Sequence, residues 1–259
     1  MIPVGILTSA ATSSFSFLLD LYPGASVAYS LRKLRIAYNG FCFRVRRTSD
    51  NAQTDIGFIN NVLDTTTLLT FCGSSNGYIV IWYDQSGNSV NISAISNPIV
   101  VLAGVLITTN GKPAIFFDDV DGFISPATTI TCTNISLFSV IKINTTTSFV
   151  LYSFGGGINL TGQSGSSAAA DSFVILDRFI NAVQNFTLTR GLVYTNYNTN
   201  LQLLSTQYFQ ITNISSFAIG RFTGFEMKGF IQEFVLYPNS QSANNTNINT
   251  NINSFYTIY

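Results

Sequence analysis

The stretch Gly77-Tyr-Ile-Val-Ile-Trp-Tyr-Asp-Gln-Ser-Gly-Asn88 decides the fold class, because a short apolar run leads directly into a tight turn. β-Branched and aromatic residues favour a strand, and the Asp, Ser, Gly and Asn that follow favour a turn. Similar short runs, bounded by Gly, Asn, Asp or Pro, recur at residues 97–102, 114–117, 136–142, 148–154, 172–176 and 230–237. Many short strands at this spacing predict an all-β sandwich.

The composition favours the same class. Only 9% of the 259 residues are charged, whereas soluble proteins average roughly 25%. Long amphipathic helices need charged residues on their exposed face, so we do not expect them. The length suits one large domain. We therefore expect an N-terminal arm or first strand at residues 1–24 and one sandwich domain at residues 25–259.

The balance of charges argues against nucleic acid and anionic lipid as partners. Twelve basic and 12 acidic residues cancel, so the chain lacks the long-range attraction that nucleic acid or anionic lipid requires. No apolar run is long enough to insert into a membrane. The N-terminus lacks the basic region of a signal peptide. The three cysteines, Cys42, Cys72 and Cys132, are expected to be buried and reduced, as in a protein made in a reducing cytoplasm.

Three segments favour short helices on the periphery of the sandwich. Residues 27–38 place apolar residues at helical spacing, residues 64–72 begin with Asp64 as an N-cap, and residues 242–256 carry apolar residues on one helical face. Six of the 12 basic residues fall within residues 32–47. They form either a basic patch or local ion pairs, for which the available acidic partners are Asp50, Asp55 and Asp84.

Several segments resemble a known family. Residues 28–35, 43–51, 55–58, 81–88, 111–118 and 122–124 resemble, in order and spacing, the concanavalin A-like jelly-roll domains of bacteriophage structural and tail-fibre proteins. Residues 229–237 and 242–245 resemble the closing strand and helix of laminin-G-like folds. Residues 83–87 and the closing helix are also similar to the catalytic domain of fungal-type α-L-arabinofuranosidases.

The first resemblance implies a non-enzymatic bacteriophage virion protein, such as a head fibre, capsid decoration or tail-fibre component. It would be assembled in the host cytoplasm and located in the virion, with other virion proteins as partners. Few charges are present to prevent strand edges from pairing, so a homo-oligomer or multiple copies are expected. A lectin-like domain of this kind would attach to host-surface glycans. The second resemblance implies the alternative, a glycoside hydrolase of α-L-arabinofuranosidase type.

Candidate catalytic groups are few. The chain has no His, which excludes Ser-His-Asp catalysis and His-ligated zinc. Glycoside hydrolysis then depends on two carboxyl groups. Aligned back from Gly229, the acid/base residue that the arabinofuranosidase pattern implies falls near Phe222, so that carboxylate is missing. Asp171 or Asp177 could occupy the nucleophile region. On this basis we expect no enzymatic activity.

Two clusters are candidate binding sites. Sugar binding needs aromatic rings beside amides or carboxylates, and one segment supplies them in Trp82, Tyr83, Asp84, Gln85 and Asn88. The alternative is that Trp82 lies in the core and Asp84 accepts hydrogen bonds within its own turn. Three further carboxylates, Asp118, Asp119 and Asp121, form a candidate calcium site, with a solvated turn as the alternative. No other cofactor is expected.

Overall fold

A computed structural model describes residues 16–259, except residues 145–147, 156–157, 172–174, 186–187, 199, 210, 212 and 223. The predicted arm at residues 1–24 lies largely outside the described residues, apart from a short helix near its end.

Short strands dominate the chain, as the alternating apolar pattern predicts. In chain order they are β1 Val27–Ser30, β2 Phe43–Arg47, β3 Gln53–Ile56, β4 Phe58–Ile59, β5 Val62–Leu63, β6 Gly77–Trp82, β7 Ile92–Ile95, β8 Ile99–Leu102, β9 Val105–Leu106, β10 Thr108–Thr109, β11 Lys112–Pro113, β12 Ile115–Asp118, β13 Gly122–Ile124, β14 Ile130–Thr131, β15 Asn134–Ile143, β16 Phe149–Phe154, β17 Ile158–Gly162, β18 Ile175–Ile180, β19 Val183–Gln184, β20 Gln202–Phe209, β21 Asn213–Ile214, β22 Phe217–Ile219 and β23 Lys228–Tyr237. The helices are α1 Leu18–Leu21, α2 Thr65–Cys72, α3 Arg190–Tyr197 and α4 Asn245–Tyr256, the last preceded by a 3-10 turn at Ser242–Asn244.

Antiparallel pairing arranges these strands in two layers. The first layer follows the order β3-β2-β6-β7-β13-β22-β16-β17. In the second layer, β23 pairs with β15 on one side and with β1 and β12 on the other, and β20 and β18 follow β15. Strand β8 pairs with both β6 and β12 and so connects the layers. The prediction of an all-β, jelly-roll-like sandwich is confirmed.

Aromatic side chains fill the space between the layers. Trp82 is completely buried, with its ring centroid 5.7 Å from that of Tyr29 and 5.4 Å from that of Phe123. Phe217 of the first layer stacks on Phe234 of the second at 6.2 Å. Such offset and tilted ring pairs contribute packing energy beyond their buried area, so this cluster connects the two sheets.

Two of the three predicted helices are confirmed. In α2, the Asp64 carboxylate accepts a hydrogen bond from the Thr67 backbone N–H at 2.9 Å. Helix α4 is rich in Asn, a poor helix former, and is held by burying Ile248, Ile252 and Tyr256 against the second layer.

The helix predicted at residues 27–38 is wrong. Val27–Ser30 is a strand, with Val27 opposite Leu236 and Ser30 opposite Glu233 on β23. All four of its residues are buried, because the strand lies between the core and α4. An unpaired edge of β23 satisfies the backbone of this segment, and that tertiary pairing outweighs the local helical spacing.

Local ion pairs, and not an open basic patch, account for two of the arginines in residues 32–47. Arg44 pairs with Asp55 at 2.7 Å and Arg47 with Asp50 at 2.6 Å. Cys42, Cys72 and Cys132 are buried and free, as predicted. Within the described part of the chain, no helix has the length and apolar character needed to cross a membrane.

Candidate functional site

One row of side chains crosses the first layer on its outer side. Cross-strand pairs join Asp55 to Arg44, Arg44 to Ile81, Ile81 to Ser93, Ser93 to Ile124, Ile124 to Ala218 and Ala218 to Ser153. Successive residues of a strand face opposite sides, and the neighbours Trp82 and Phe123 are buried in the core. The row therefore faces outward, and we call it the outer row.

The outer row ends in a pocket of about 250 Å³, which we call the outer pocket. Its lining consists of Ile124, Ser153, Phe154, Gly155, Ser216, Phe217, Ala218 and Phe222. The Ser153 hydroxyl donates to the Arg221 carbonyl at 3.0 Å, which holds the loop carrying Phe222 against β16. The lining offers hydroxyl, backbone and aromatic groups and, among the described residues, no carboxylate. It suits a neutral polar ligand but does not itself supply an acid.

An acidic turn lies beside this loop. Arg221 Nη1 donates to the Val120 carbonyl at 3.2 Å, and Lys228 Nζ lies 3.6 Å from the Asp119 carboxylate. Asp121 is only 2% exposed and accepts hydrogen bonds from the backbone N–H groups of Asn97 at 2.6 Å and Asp118 at 3.2 Å. Burial, and then the neighbouring Asp118 carboxyl, raise the pKa of Asp121 to about 7, although the Asn97 hydrogen bond lowers it.

This raised pKa predicts a pH-dependent stability. The folded state holds the Asp121 proton more tightly than the unfolded chain does. The stabilisation is therefore complete below pH about 4 and is lost as the pH rises through about 7. In urea unfolding, the Asp121 proton should raise the free energy of unfolding of the parent in acidic buffer relative to alkaline buffer. We expect Asp121→Asn to reduce this difference by about 1–3 kcal/mol. Asp119→Asn, at an exposed position, is the control, and an equal effect of both variants would contradict the assignment.

A second polar cluster is buried between the layers. Arg178 Nη2 donates to Asp171 Oδ1 at 2.5 Å, and the Tyr208 hydroxyl donates to the same oxygen at 2.6 Å. Arg178 Nε donates to the Thr206 hydroxyl at 3.1 Å, and the Tyr152 and Tyr208 hydroxyls lie 2.5 Å apart. We call these five residues the interlayer cluster.

The interlayer cluster combines a fixed positive charge with protonated phenols. Burial alone would lower the pKa of Arg178, but Tyr208 and Asp171 raise it, so the guanidinium stays charged. Burial raises the pKa of Tyr152 and Tyr208. Arg178 Nη1 and the Tyr197 hydroxyl are buried and have no hydrogen-bond partner among the described residues. These two buried donors are therefore unsatisfied among the described residues. Only Asp171 of this cluster was singled out from the sequence.

The residues predicted to bind sugar are divided between the core and the surface. Trp82 and Gln85 are completely buried. The Asp84 carboxylate accepts hydrogen bonds from the N–H groups of Ala28, Ser86 and Val90, and burial raises its pKa. These contacts match the alternative, in which Asp84 holds its own turn. Tyr83 is half-buried, and Asn88 is exposed.

The three predicted calcium ligands do not form one group, although the carboxyl groups of Asp118 and Asp121 contact each other. Asp121 is bound to backbone N–H groups and Asp119 faces Lys228. The described part of the chain contains no group of three or more acidic or cysteine side chains arranged to hold a metal ion. Calcium binding by Asp118, Asp119 and Asp121 stays a prediction.

Comparisons with known proteins point to one family. The model "Alpha-L-arabinofuranosidase B, catalytic" matches residues 22–106. A probable alpha-L-arabinofuranosidase B of Aspergillus flavus is 31% identical over 132 residues, which is 44% of this chain and 26% of that protein. A mutant GH54 α-L-arabinofuranosidase soaked with 4-nitrophenyl α-L-arabinofuranoside has a TM-score of 0.60 at 15% identity, over 88% of this chain and 62% of its own. An arabinofuranosidase complexed with arabinofuranosyl-α-1,2-xylobiose covers the same shares, with a TM-score of 0.58 at 14% identity.

These matches correct the functional prediction. The prediction of a non-enzymatic bacteriophage virion protein, located in the virion, is wrong, because the relatives in sequence and structure are α-L-arabinofuranosidases. The expectation of no enzymatic activity is wrong for the same reason. Self-association was a separate expectation and stays a prediction. The chain spans about a quarter of the curated relative and less than two thirds of the solved chains. The chain has the β-sandwich fold of α-L-arabinofuranosidase catalytic domains, and residues 22–106 are similar to that family in sequence.

Proposed function

We propose that this chain is a glycoside hydrolase of the α-L-arabinofuranosidase type, which releases terminal arabinofuranose from its substrates. The observation that carries the proposal is the match of residues 22–106 to the catalytic-domain model of that family. The outer pocket supports it, since its hydroxyl and backbone groups can hydrogen-bond a sugar.

Hydrolysis of a glycoside needs two carboxyl groups. Strand pairing and burial limit which carboxyl groups of this chain can act together. Glu233 is excluded because it is completely buried and both of its carboxylate oxygens accept hydrogen bonds, from Arg32, Ser30 and Tyr256. Asp171 is the candidate from the interlayer cluster, and Asp121 lies too far from it to be the second carboxyl group. Between them lie the pairings of β13, β22, β16 and β17 and the bridge from Leu160 to Asp171. Four strand spacings of about 4.8 Å amount to about 19 Å, whereas hydrolytic pairs lie within about 5–9.5 Å.

Asp171 and Glu226 are the carboxyl groups that we assign. The contacts of Phe225 with Val150, Val150 with Thr161 and Thr161 with Ala170 separate their main chains by three strand spacings, or about 14 Å. The two side chains must therefore extend toward each other to come within about 5–9.5 Å.

Asp171 is held by Arg178 and by Tyr208, which fix the orientation of its carboxylate. Glu226 lies on the same loop as Phe222 and is partly exposed. That loop contacts β16 through a hydrogen bond from the Val150 N–H to the Phe225 carbonyl at 3.2 Å. In this assignment Glu226 protonates the leaving oxygen as the glycosidic bond breaks. The Asp171 carboxylate either attacks the anomeric carbon itself, to be displaced by water afterwards, or deprotonates the water that attacks it.

The proposal predicts release of 4-nitrophenol from 4-nitrophenyl α-L-arabinofuranoside. We expect Asp171→Asn to reduce the turnover of this substrate by about a hundredfold or more. Glu226→Gln is expected to affect it little, because nitrophenolate leaves without help from an acid, and to slow release from an arabinofuranosyl oligosaccharide by about a hundredfold. Both effects are measured on kcat/KM, which reports the steps up to departure of the leaving group.

Asp177→Asn serves as the matched control, since Asp177 lies on β18 beside Arg178 and contacts Gln184. If Asp171→Asn released nitrophenol as fast as the parent, the catalytic role of Asp171 would be wrong, and the proposed function would still stand. A parent protein that binds the glycoside and releases no nitrophenol would overturn the proposed function.

A further inference from the structure

A second pocket lies between the segment that leads into β1 and the turn that follows β6. It has a volume of about 300 Å³, within the range of small-molecule sites, and we call it the Arg35 pocket. Its lining consists of Leu19, Pro23, Gly24, Ala25, Ser26, Arg35, Ser86, Asn88 and Pro238. The Asn88 side-chain amide donates to the carbonyls of Ala25 and Ser26 at 3.1 and 2.9 Å, which joins the two walls. The Arg35 pocket shares no residue with the outer pocket.

The guanidinium of Arg35 is held in a fixed position in this pocket. Its Nη1 donates to the Ser86 carbonyl at 2.7 Å. The next residue, Gly87, has φ +99°, and a Cβ there would lie 2.8 Å from the same Nη1, so a larger residue would displace the guanidinium. A group that is fixed before a ligand arrives loses little conformational entropy on binding.

The opposite edge of this guanidinium has no acceptor among the described residues. Arg35 Nε is buried and has no hydrogen-bond partner there. The carboxylate of Asp84 accepts from backbone N–H groups, among them that of Val90, and the carboxylate of Asp20 accepts from the Ile36 N–H. In the described part of the chain, no acidic residue forms an ion pair with Arg35. A buried donor without an acceptor is costly, and a ligand oxygen would remove that cost.

Other arginines of this chain show what the edge formed by Nε and Nη2 binds. In Arg32, Arg44 and Arg47, both nitrogens donate to one carboxylate, at 2.6–3.0 Å. The partners are Glu233, Asp55 and Asp50, respectively. Two parallel N–H groups match the two oxygens of a carboxylate, so this edge of Arg35 suits the same group on a ligand.

The rest of the lining is neutral and largely apolar. Beside the Ser26 hydroxyl, the walls are formed by Leu19, Pro23, Ala25 and Pro238. Among the described residues, no carboxylate lines the pocket that would repel an anion. A ligand that fits such a lining has one anionic group and an apolar body.

We propose that the Arg35 pocket binds a small organic carboxylate, with its anionic group on the Nε and Nη2 edge of Arg35 and an apolar body against Leu19 and Pro238. Neither Asp171 nor Glu226 lines this pocket. The proposal therefore goes beyond the proposed function and does not depend on it.

The experiment is equilibrium dialysis of the full chain against radiolabelled benzoate at constant ionic strength. We expect saturable binding by the parent, and none of benzamide, which has a similar shape and no charge. Arg35→Gln should weaken benzoate binding about tenfold or more. Arg46→Gln is the matched control, because Arg46 donates to Asn51 and Asn97 and also lacks a carboxylate partner among the described residues. It should bind benzoate like the parent, and thermal unfolding shows that each variant is folded.

Three results would overturn the carboxylate site. They are equal binding of benzoate and benzamide by the parent, equal binding of benzoate by the parent and Arg35→Gln, and no binding of benzoate or glucuronate. The comparison with benzamide uses the parent alone, so it decides even if Arg35→Gln does not fold. Glucuronate carries its carboxylate on a hydroxyl-rich body, and tighter binding of glucuronate than of benzoate would overturn the apolar body of the ligand.

Discussion

Replacing Glu233 by Ala is expected to lower the free energy of unfolding by about 3–5 kcal/mol, because it leaves the Arg32 charge buried without a partner. Arg32 donates to Glu233 twice, at 2.8 and 3.0 Å, and both side chains are at most 2% exposed. The same carboxylate accepts from the Ser30 hydroxyl at 2.7 Å and the Tyr256 hydroxyl at 3.2 Å. It therefore joins β1, β23 and α4, and urea unfolding monitored by circular dichroism measures the loss.

Two controls distinguish the buried pair from an ordinary one. Asp50→Ala removes the partner of Arg47 in a pair whose side chains are 32% and 49% exposed. It should lower the free energy of unfolding far less than Glu233→Ala does, because solvent screens an exposed pair. In the double variant Arg32→Met with Glu233→Leu no charge remains unpaired, so it should be more stable than Glu233→Ala alone. A double variant less stable than Glu233→Ala would contradict the desolvation argument.

Trp82→Ala is expected to cost about 3–5 kcal/mol of unfolding free energy, since it removes the largest side chain of the aromatic cluster between the layers. The neighbouring rings of Tyr29 and Phe123 belong to strands in different layers, which limits how far the cavity can collapse. Trp82 is the single tryptophan of the chain, so unfolding must be monitored by circular dichroism and not by tryptophan fluorescence.

Tyr83→Ala is the adjacent control, on the same strand end but on the opposite face. Its side chain is half-buried and makes one hydrogen bond, to Asp55. We expect it to cost less than about 1.5 kcal/mol. If Tyr83→Ala were as destabilising as Trp82→Ala, the assignment of the two rings to opposite faces would be wrong.

Features of the sequence that depend on near neighbours were predictable. Short β-branched and aromatic runs between turn residues indicated the sandwich. The Asp64 cap and the turn at Asp84 each rest on hydrogen bonds to residues within a few positions, and both are present. Local spacing also identified α4, although its stability depends on docking.

The candidate site could be predicted only in part. Asp171 was identified as a candidate from its place in the order of the family pattern, but Arg178 and Tyr208 were not. Tyr208 lies 37 positions from Asp171, and no sequence signal joins them. The ligand role suggested for Trp82 and Gln85 came from their neighbourhood in the sequence, which does not tell which side of a sheet a residue faces.

The sequence by itself therefore determined the fold class, the turns and two of the helices, because hydrophobic periodicity and capping act over a few residues. The tertiary structure alone decided that residues 27–30 form a strand. The edge that pairs with them is supplied by β23, about 200 positions away in the chain. It also decided which side chains meet in the interlayer cluster and the outer row, because register between strands distant in sequence sets those contacts.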